Sequence, residues 1–350
     1  MFFIAITSHI NNKMEYLMFG ENLLIKFWDT LTKEGIGSLA SPWQIKREGK
    51  AHVDVRRHEM LTMAQTEIDA QQIKEGTKKL LPNGTVEHID NKDHDESNLN
   101  LKNVSLKIEQ QEKATKIQQE IHVNKTIHLA EKELLRSKQN PSDKDVDPDW
   151  ILRWHEYAKN LKNEDLRQIW AKTLAGEVTS PGSYSLRTLE FIKNLSQEEA
   201  LAISKLGQFL LKGVIFQCST LEKEGIDFNF LLQMDELGIL NGVQGGFGDL
   251  SAIELVMTSQ ENNKYSTTLI NKNLALLIQA EDPNKELTLS CYQTSKIGAE
   301  LLSLGDFKPN KKYMIELGQK IKAKGFDVEI ASWEQTHADR GQYSNPQPIN

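Results

Sequence analysis

The sequence predicts a mainly α-helical chain with N-terminal long helices, a central helical bundle and a C-terminal winged-helix-like α+β module. Three observations carry that expectation. Apolar residues recur every three or four positions on a charged background from about Gln44 to Lys74 and again from Val104 to Gln139, the period of an amphipathic helix. Three of the six tryptophans, Trp150, Trp154 and Trp170, fall in a run broken by residues that start and stop helices. Runs with strand character, Thr267 to Gln279 and Glu286 to Tyr292, enter only near the end.

Composition sets the outer bounds. A chain of 350 residues holds two or three domains with real cores. Its net charge of -7 argues against a protein coated onto nucleic acid. Cys218 and Cys291 lie in apolar or β-like runs without a CxxC partner, so both read as buried thiols in a reducing cytoplasm. No apolar run reaches the length of a bilayer. The opening Met1-Phe2-Phe3-Ile4-Ala5-Ile6 lacks a basic flank and makes a poor signal peptide, and Met14 or Met18 is an alternative start. A cytoplasmic protein is expected, with the inner membrane surface as an alternative place of work.

The first element is a short apolar helix through Leu23, Leu24, Ile25, Phe27, Trp28 and Leu31, bordered by Lys26, Asp29 and Lys33. Two readings fit it. Its stripe packs against the body of the protein, or Phe27 and Trp28 contact a membrane surface or a partner. After Ser41-Pro42-Trp43, the helix from about Gln44 to Lys74 carries a narrow stripe of Ile45, Val53, Met60, Ala64 and Ile68. A stripe that narrow on a long polar helix fits an extended arm or self-association.

The segment from Thr77 to Ser105 is where chemistry is most readily sought. It holds Pro82-Asn83-Gly84-Thr85-Val86-Glu87-His88-Ile89-Asp90 and then Asn98-Leu99-Asn100-Leu101. The pattern resembles the core of an HNH homing-type nuclease. That resemblance implies His88 as general base, Glu87 as a magnesium ligand and Asn100 as the orienting amide. The sequence departs from the pattern at Asn103, where an aromatic is usual. The competing reading is a flexible acidic loop between two helices near 82–105, and a loose metal-binding cluster of His88, Asp90, Asp93, His94 and Asp95 is a third.

The central stretch is the most legible. Asp147 or Asp149 with Pro148 starts a helix carrying Trp150, Ile151, Trp154 and Ala158 on one face. A second helix has Leu166, Ile169, Trp170 and Leu174 as its inner stripe, with Glu164, Asp165 and Arg167 toward water. It ends near Gly176 and the turn Ser180-Pro181-Gly182-Ser183. Ser185 caps a third helix, and Ser196 with Glu199 forms a capping box for a fourth. Four short helices with brief connections predict a bundle over 147–212, separated from the arm (1–140) by the linker Pro141 to Pro148.

Several runs here resemble the bacterial family of domain of unknown function 2806: Gln168-Ile169-Trp170, Leu174-Ala175-Gly176-Glu177, Pro181-Gly182, Ser185-Leu186-Arg187-Thr188-Leu189 and Leu195-Ser196. The likeness extends more weakly to Ser41-Pro42-Trp43-Gln44-Ile45-Lys46-Arg47, so that it is expected to cover most of the chain. The stretch is also distantly similar to the abortive-infection alpha family. The first resemblance implies no chemistry; the second implies a role in defence against phage.

Residues 213–333 are expected to form the winged-helix-like module. Phe228 to Leu237 would be the helix entering a groove, and Asp282-Pro283-Asn284 the hairpin turn between two strands. That helix carries Asp235 and Glu236 and no lysine or arginine, which favours protein contact over DNA reading. One basic cluster, Lys308, Lys311, Lys312, Lys320, Lys322 and Lys324, fits either a solvated face or a nucleic-acid or anionic-membrane contact. The glycines of 242–248 lack the Lys-Ser/Thr of a phosphate loop and read as a mobile loop. Residues 334–350 are expected to be a disordered tail.

The expected function is a non-catalytic interaction or sensing component without a cofactor, acting through a protein partner or self-association. Phe27, Trp28, Lys311, Lys312, Lys320 and Lys324 are its candidate contacts. A magnesium-dependent nuclease at His88 and a peripheral membrane effector are the alternatives.

Overall fold

The computed structural model describes residues 23–36, 52–89, 101–136, 142–243, 253–258, 260–261, 264–337 and 340–349. The chain divides into two units, Met1–Gly182 and Ser183–Asn350. The division falls in the turn Ser180-Pro181-Gly182-Ser183, so the helices expected to make one bundle are shared between two bodies.

The first unit is helical. Residues 23–33 form α1. Leu23, Phe27 and Leu31, four residues apart on one stripe, are each 0% exposed, and Trp28 is 6% exposed. Phe27 and Trp28 are therefore core residues of this unit. The Trp28 indole donates to the buried Glu131 carboxylate (2.9 Å) across 103 residues of sequence. The other Glu131 oxygen lies 3.1 Å from His128 Nδ1. Lys26 donates to the carbonyls of Ser142 (2.6 Å) and Lys144 (2.7 Å), so a basic border residue is also bound within the unit.

Two long helices, α2 (His52–Lys74) and α3 (Leu101–Arg136), run antiparallel. Their alignment follows from the cross-links: Glu67 accepts from Lys125 (2.6 Å), and Gln71 accepts from Gln118 (3.2 Å). Between them lies a small hairpin of β1 (Lys78–Leu80) and β2 (Val86–His88). Gly84, with φ 83°, makes its turn. The Gln110 side chain accepts from Leu80 N (2.9 Å) and donates to Leu80 O (3.1 Å), standing in for a third strand on the outer edge of β1. Ala70, Ile73 and Ala114 make the small core here.

Helix α4 (Pro148–Ala158) starts at its Asp147 cap with proline in the first turn, and α5 (Glu164–Thr179) starts at Asn163. Trp154 and Trp170 are 0% exposed and Trp150 3%. Each of the first two satisfies its indole on the other's backbone: Trp154 Nε1 donates to Trp170 O (3.0 Å), and Trp170 Nε1 to Trp154 O (3.1 Å). Arg167, expected in water, is 5% exposed. It is held by Glu164 and by a 2.7 Å bond to Leu161 O, because its long side chain folds back over the preceding turn.

The second unit is not a winged helix. Helices α6 (Leu186–Asn194) and α7 (Gln197–Gly207) lead into β3 (Val214–Phe216), α8 (Ser219–Lys223), α9 (Phe228–Glu236) and β4 (Leu240–Asn241). Then come β5 (Ile253–Met257), β6 (Gln260–Glu261), β7 (Lys264–Asn271), β8 (Leu274–Ala280) and β9 (Leu287–Thr294). The chain closes with α10 (Lys296–Leu304), α11 (Lys311–Lys322), β10 (Asp327–His337) and β11 (Arg340–Pro348). Two antiparallel sheets result: β11-β10-β8-β7-β6, and β3-β9-β4 with β5 also on β9.

Two local facts undo the expected wing. The run Thr267 to Gln279 is not one strand; it folds back at Lys272, whose φ is 50°, so that Asn271 faces Leu274. The strand after Asp282-Pro283-Asn284 then joins a different sheet, pairing with β3, β4 and β5. That turn is a crossing between sheets. Helix α9 feeds β4 through Gly238 (φ 73°), and Asp235 near its end accepts from Val243 N (3.5 Å).

The tail is also ordered where it was expected not to be. β11 pairs with β10 along its length. Ile349 is 4% exposed and donates its N–H to Val328 O (3.0 Å), and Lys322 donates to Ile349 O (2.8 Å). A Cβ on Gly318 of α11 would lie 2.2 Å from Ile349 Cδ1. The missing side chain on α11 is thus the seat for the last apolar residue of a polar tail. Among the described residues no helix is long and apolar enough to cross a membrane.

Candidate functional site

The strongest candidate site is a groove between α11 and the edge of β9. It begins with how α11 is built. Asn310 caps it by accepting from Tyr313 N (3.0 Å), and Tyr313, Met314, Leu317 and Ile321 form its buried stripe. On the flank of that stripe, Tyr313, Glu316 and Lys320 recur at three and four residues and fasten one segment of backbone.

The Tyr313 hydroxyl accepts from Phe216 N (2.7 Å) and donates to Phe216 O (3.1 Å). In an antiparallel strand successive residues aim their backbone groups to opposite sides. Phe216 aims away from β9, so this phenol closes the outer edge of β3. Burial raises the Tyr313 pKa well above its ordinary value, which keeps the donor proton in place. Glu316 accepts from Ser219 N (2.7 Å), Thr220 N (2.8 Å) and Thr220 Oγ1 (2.5 Å). Burial opposes its charge, but the bonds from Thr220 and Ser219 outweigh it and take the carboxyl down to about 2. Lys320 donates to Gln217 O (2.9 Å), with Glu316 at 3.9 Å.

β3 ends there, and the edge passes to β9. Gln217 N donates to Ser290 O (2.9 Å), which sets the parity of β9. Ser290 and Tyr292 face β3; Leu287, Leu289 and Cys291 exchange with β5. Thr288 therefore points its N–H and C=O to the β3 side, beyond the last residue of β3. The concavity here measures about 390 Å³, with Gln217, Glu254, Thr288 and Ser290 on the sheet wall and Leu317, Lys320, Ala323 and Lys324 on the helix wall. It is within the size range of small ligand sites.

A second concavity of about 440 Å³ lies against α6, lined by Arg187, Glu190, Phe191 and Glu199 among others. Its carboxylates are already engaged, Glu190 with Lys193 (3.2 Å) and Glu199 with the Ser196 backbone (2.8 Å). The groove on β9 has in addition the backbone of Thr288 on the β3 side.

Of the sequence-derived candidates, Lys320 and Lys324 line the groove. Lys311 and Lys312 stand exposed at the other end of α11, Lys312 with Glu224 at 3.9 Å. Phe27 and Trp28 are core. Glu87 and His88 are neighbours on β2, so their side chains leave opposite faces of the strand. Glu87 pairs with Lys79 at 3.3 Å. Asn100 lies outside the described residues. Among the described residues no group of three or more His, Cys, Asp or Glu is placed to hold a metal. Both cysteines are buried; burial pushes Cys218 up to about 12 and raises Cys291 as well. Thr288, Ser290, Gln217 and Glu254 carry no motif. An alternating run such as Leu287 to Thr294 identifies a strand and is silent on which of its edges stays open.

A family model described as protein of unknown function (DUF2806) matches residues 106–214. The chain is similar to that family from within α3 to the first residue of β3, a narrower span than the resemblance implied. Ser41 to Arg47 and the groove residues of β9 and α11 fall outside it, and the match carries no abortive-infection likeness. No curated protein and no solved structure matches the chain.

Proposed function

We propose that the protein is a non-catalytic interaction component that engages a protein partner through the groove between α11 and β9, in a bacterial defence against phage. One observation supports the docking role above the others: backbone hydrogen-bonding groups of Thr288 turned to a strand edge beyond β3, beside the lysines Lys320 and Lys324. Elsewhere this unit ties off such groups with side chains, as Tyr313 does for Phe216. The defence setting rests on the distant resemblance to the abortive-infection alpha family and on no residue chemistry.

The test is a phage challenge of cells carrying the gene with its native neighbours. Wild type is expected to lower plaque counts. Ala323→Trp, which fills the groove, and Lys324→Glu are expected to abolish protection at unchanged protein level and unchanged circular dichroism. Lys308→Glu is the control and should protect fully. Plaque counts indifferent to the wild-type gene remove the defence setting; protection that survives both groove variants removes the groove as the docking site.

A further inference from the structure

We infer that the occupant of this groove is an extended acidic segment of a partner protein, added as a strand to the edge of β9. The inference rests on the docking reading above and names its chemistry.

Three features converge. The first is the parity of β9: Thr288 offers one donor and one acceptor to the vacated side of the strand. A chain lying there continues the line of β3 and pairs as β3 does, which is strand addition to a sheet edge. The second is spacing. Lys320 sits in the last turn of α11, and Lys324 in the turn that follows its end at Lys322. Residues two apart on a strand repeat every ~6.8 Å and share a face. Carboxylates at alternate positions of the added strand therefore share one face, the face turned to these two lysines.

The third is the sign of charge on each wall. Lys320 and Lys324 form the helix wall, and Glu316, 3.9 Å from Lys320, is committed to the amides of Ser219 and Thr220. Glu254 is the carboxylate on the sheet wall. It repels an acidic side chain turned toward the sheet, so the acidic face of the strand is directed to α11 and the opposite face is left for apolar residues. Attraction on one wall and repulsion on the other select an alternating acidic and apolar segment over a uniformly acidic one.

The edge is also unlike the other long one. β11 carries Pro346 and Pro348 and is broken by register shifts, devices that discourage pairing. The Leu287 to Ser290 edge of β9 has no proline and sits recessed beside α11.

The probe is a fluorescein-labelled octapeptide alternating aspartate and valine, followed by fluorescence anisotropy on the full chain. Saturable binding is expected, weakened about tenfold or more by Lys324→Glu. An alternating lysine and valine octapeptide should not bind. Two further probes, methylated on the backbone nitrogens of either the aspartates or the valines, test the pairing without altering the protein. One pattern should abolish binding and the other preserve it, because only one set of N–H groups faces Thr288. Thr288→Pro should also abolish binding; the N–H it removes points away from β5, so the ladder to β5 keeps its bonds.

Equal binding of both methylated probes, or of the lysine peptide, overturns the inference. No binding of the aspartate peptide overturns it too, and a dimer that Thr288→Pro dissolves would then assign the edge to a second copy. If the peptide fails while Ala323→Trp still abolishes protection against phage, the strand chemistry is wrong and the docking reading stands.

Discussion

The tryptophan seam of the first unit and the groove of the second treat backbone in opposite ways. Between α4 and α5, two large rings are buried completely, and each indole N–H is spent on the carbonyl of the other tryptophan. Beside α11, β3 is closed at Phe216 by a phenol, while on β9 Thr288 turns its N–H and C=O to the β3 side beyond the last residue of that strand. A hydrogen bond contributes about 1 kcal/mol net, but a buried group deprived of its partner costs about 1–3 kcal/mol. A seam with all its groups paired is therefore a place for stability. An edge whose groups face solvent bears no such cost until something dry covers it, which makes it a place for exchange.

That contrast is broken most directly at the seam. Trp154→Ala removes a fully buried ring and the bond it donates to Trp170 O, which keeps the Thr173 hydroxyl (2.7 Å); a loss of about 3–5 kcal/mol is expected in urea denaturation. A loss under about 1 kcal/mol would mean the seam is not where the first unit is held. Gly318→Val should cost about 1–3 kcal/mol by driving a side chain into Ile349. Limited proteolysis should then cut the β11 tail faster, and adding Ile349→Ala should restore part of the loss.

A smaller effect sharpens the comparison from the groove side, where Glu316 anchors α8 through its charge. Its carboxyl sits at about 2 against an ordinary 4.5, so its contribution is present in full above 4.5 and is lost as pH falls toward 2. The gap in melting temperature between wild type and Glu316→Gln should be widest at neutral pH and close over that acid range. A gap independent of pH would assign the residue a packing role alone. The smallest effect on stability is expected for Lys324→Glu, within about 0.5 kcal/mol because the side chain is exposed and holds nothing in place.

Helix starts were the most readable part of the chain. Ser185 accepts from Thr188 N, and Ser196 with Glu199 forms a complete capping box, as their spacing predicts. Pro148 opens α4 behind the Asp147 cap, and the tryptophans of α4 and α5 are buried as their period implies. Each of these rests on residues within a turn or two of one another. The C-terminal architecture departs from the expected one at two turns: the chain folds back at Lys272, inside a run with the character of one strand, and Asp282-Pro283-Asn284 crosses between sheets. A turn-forming sequence reports that the chain reverses and not which strand it reverses toward.

The candidate site was half legible. Lys320 and Lys324 were visible as part of a lysine cluster, while Thr288 and Glu254 had no distinguishing feature. Local order, meaning caps, periods and the burial of a tryptophan stripe, follows from interactions that the neighbouring residues already contain. Tertiary structure alone decided that Phe27 and Trp28 are buried and that the Trp28 indole meets Glu131, that Ile349 has a seat over Gly318, and that Thr288 of β9 lies beside α11. Those outcomes depend on which distant segment fills a given space or pairs a given backbone group, and a hydrophobic or alternating pattern is the same whichever segment arrives.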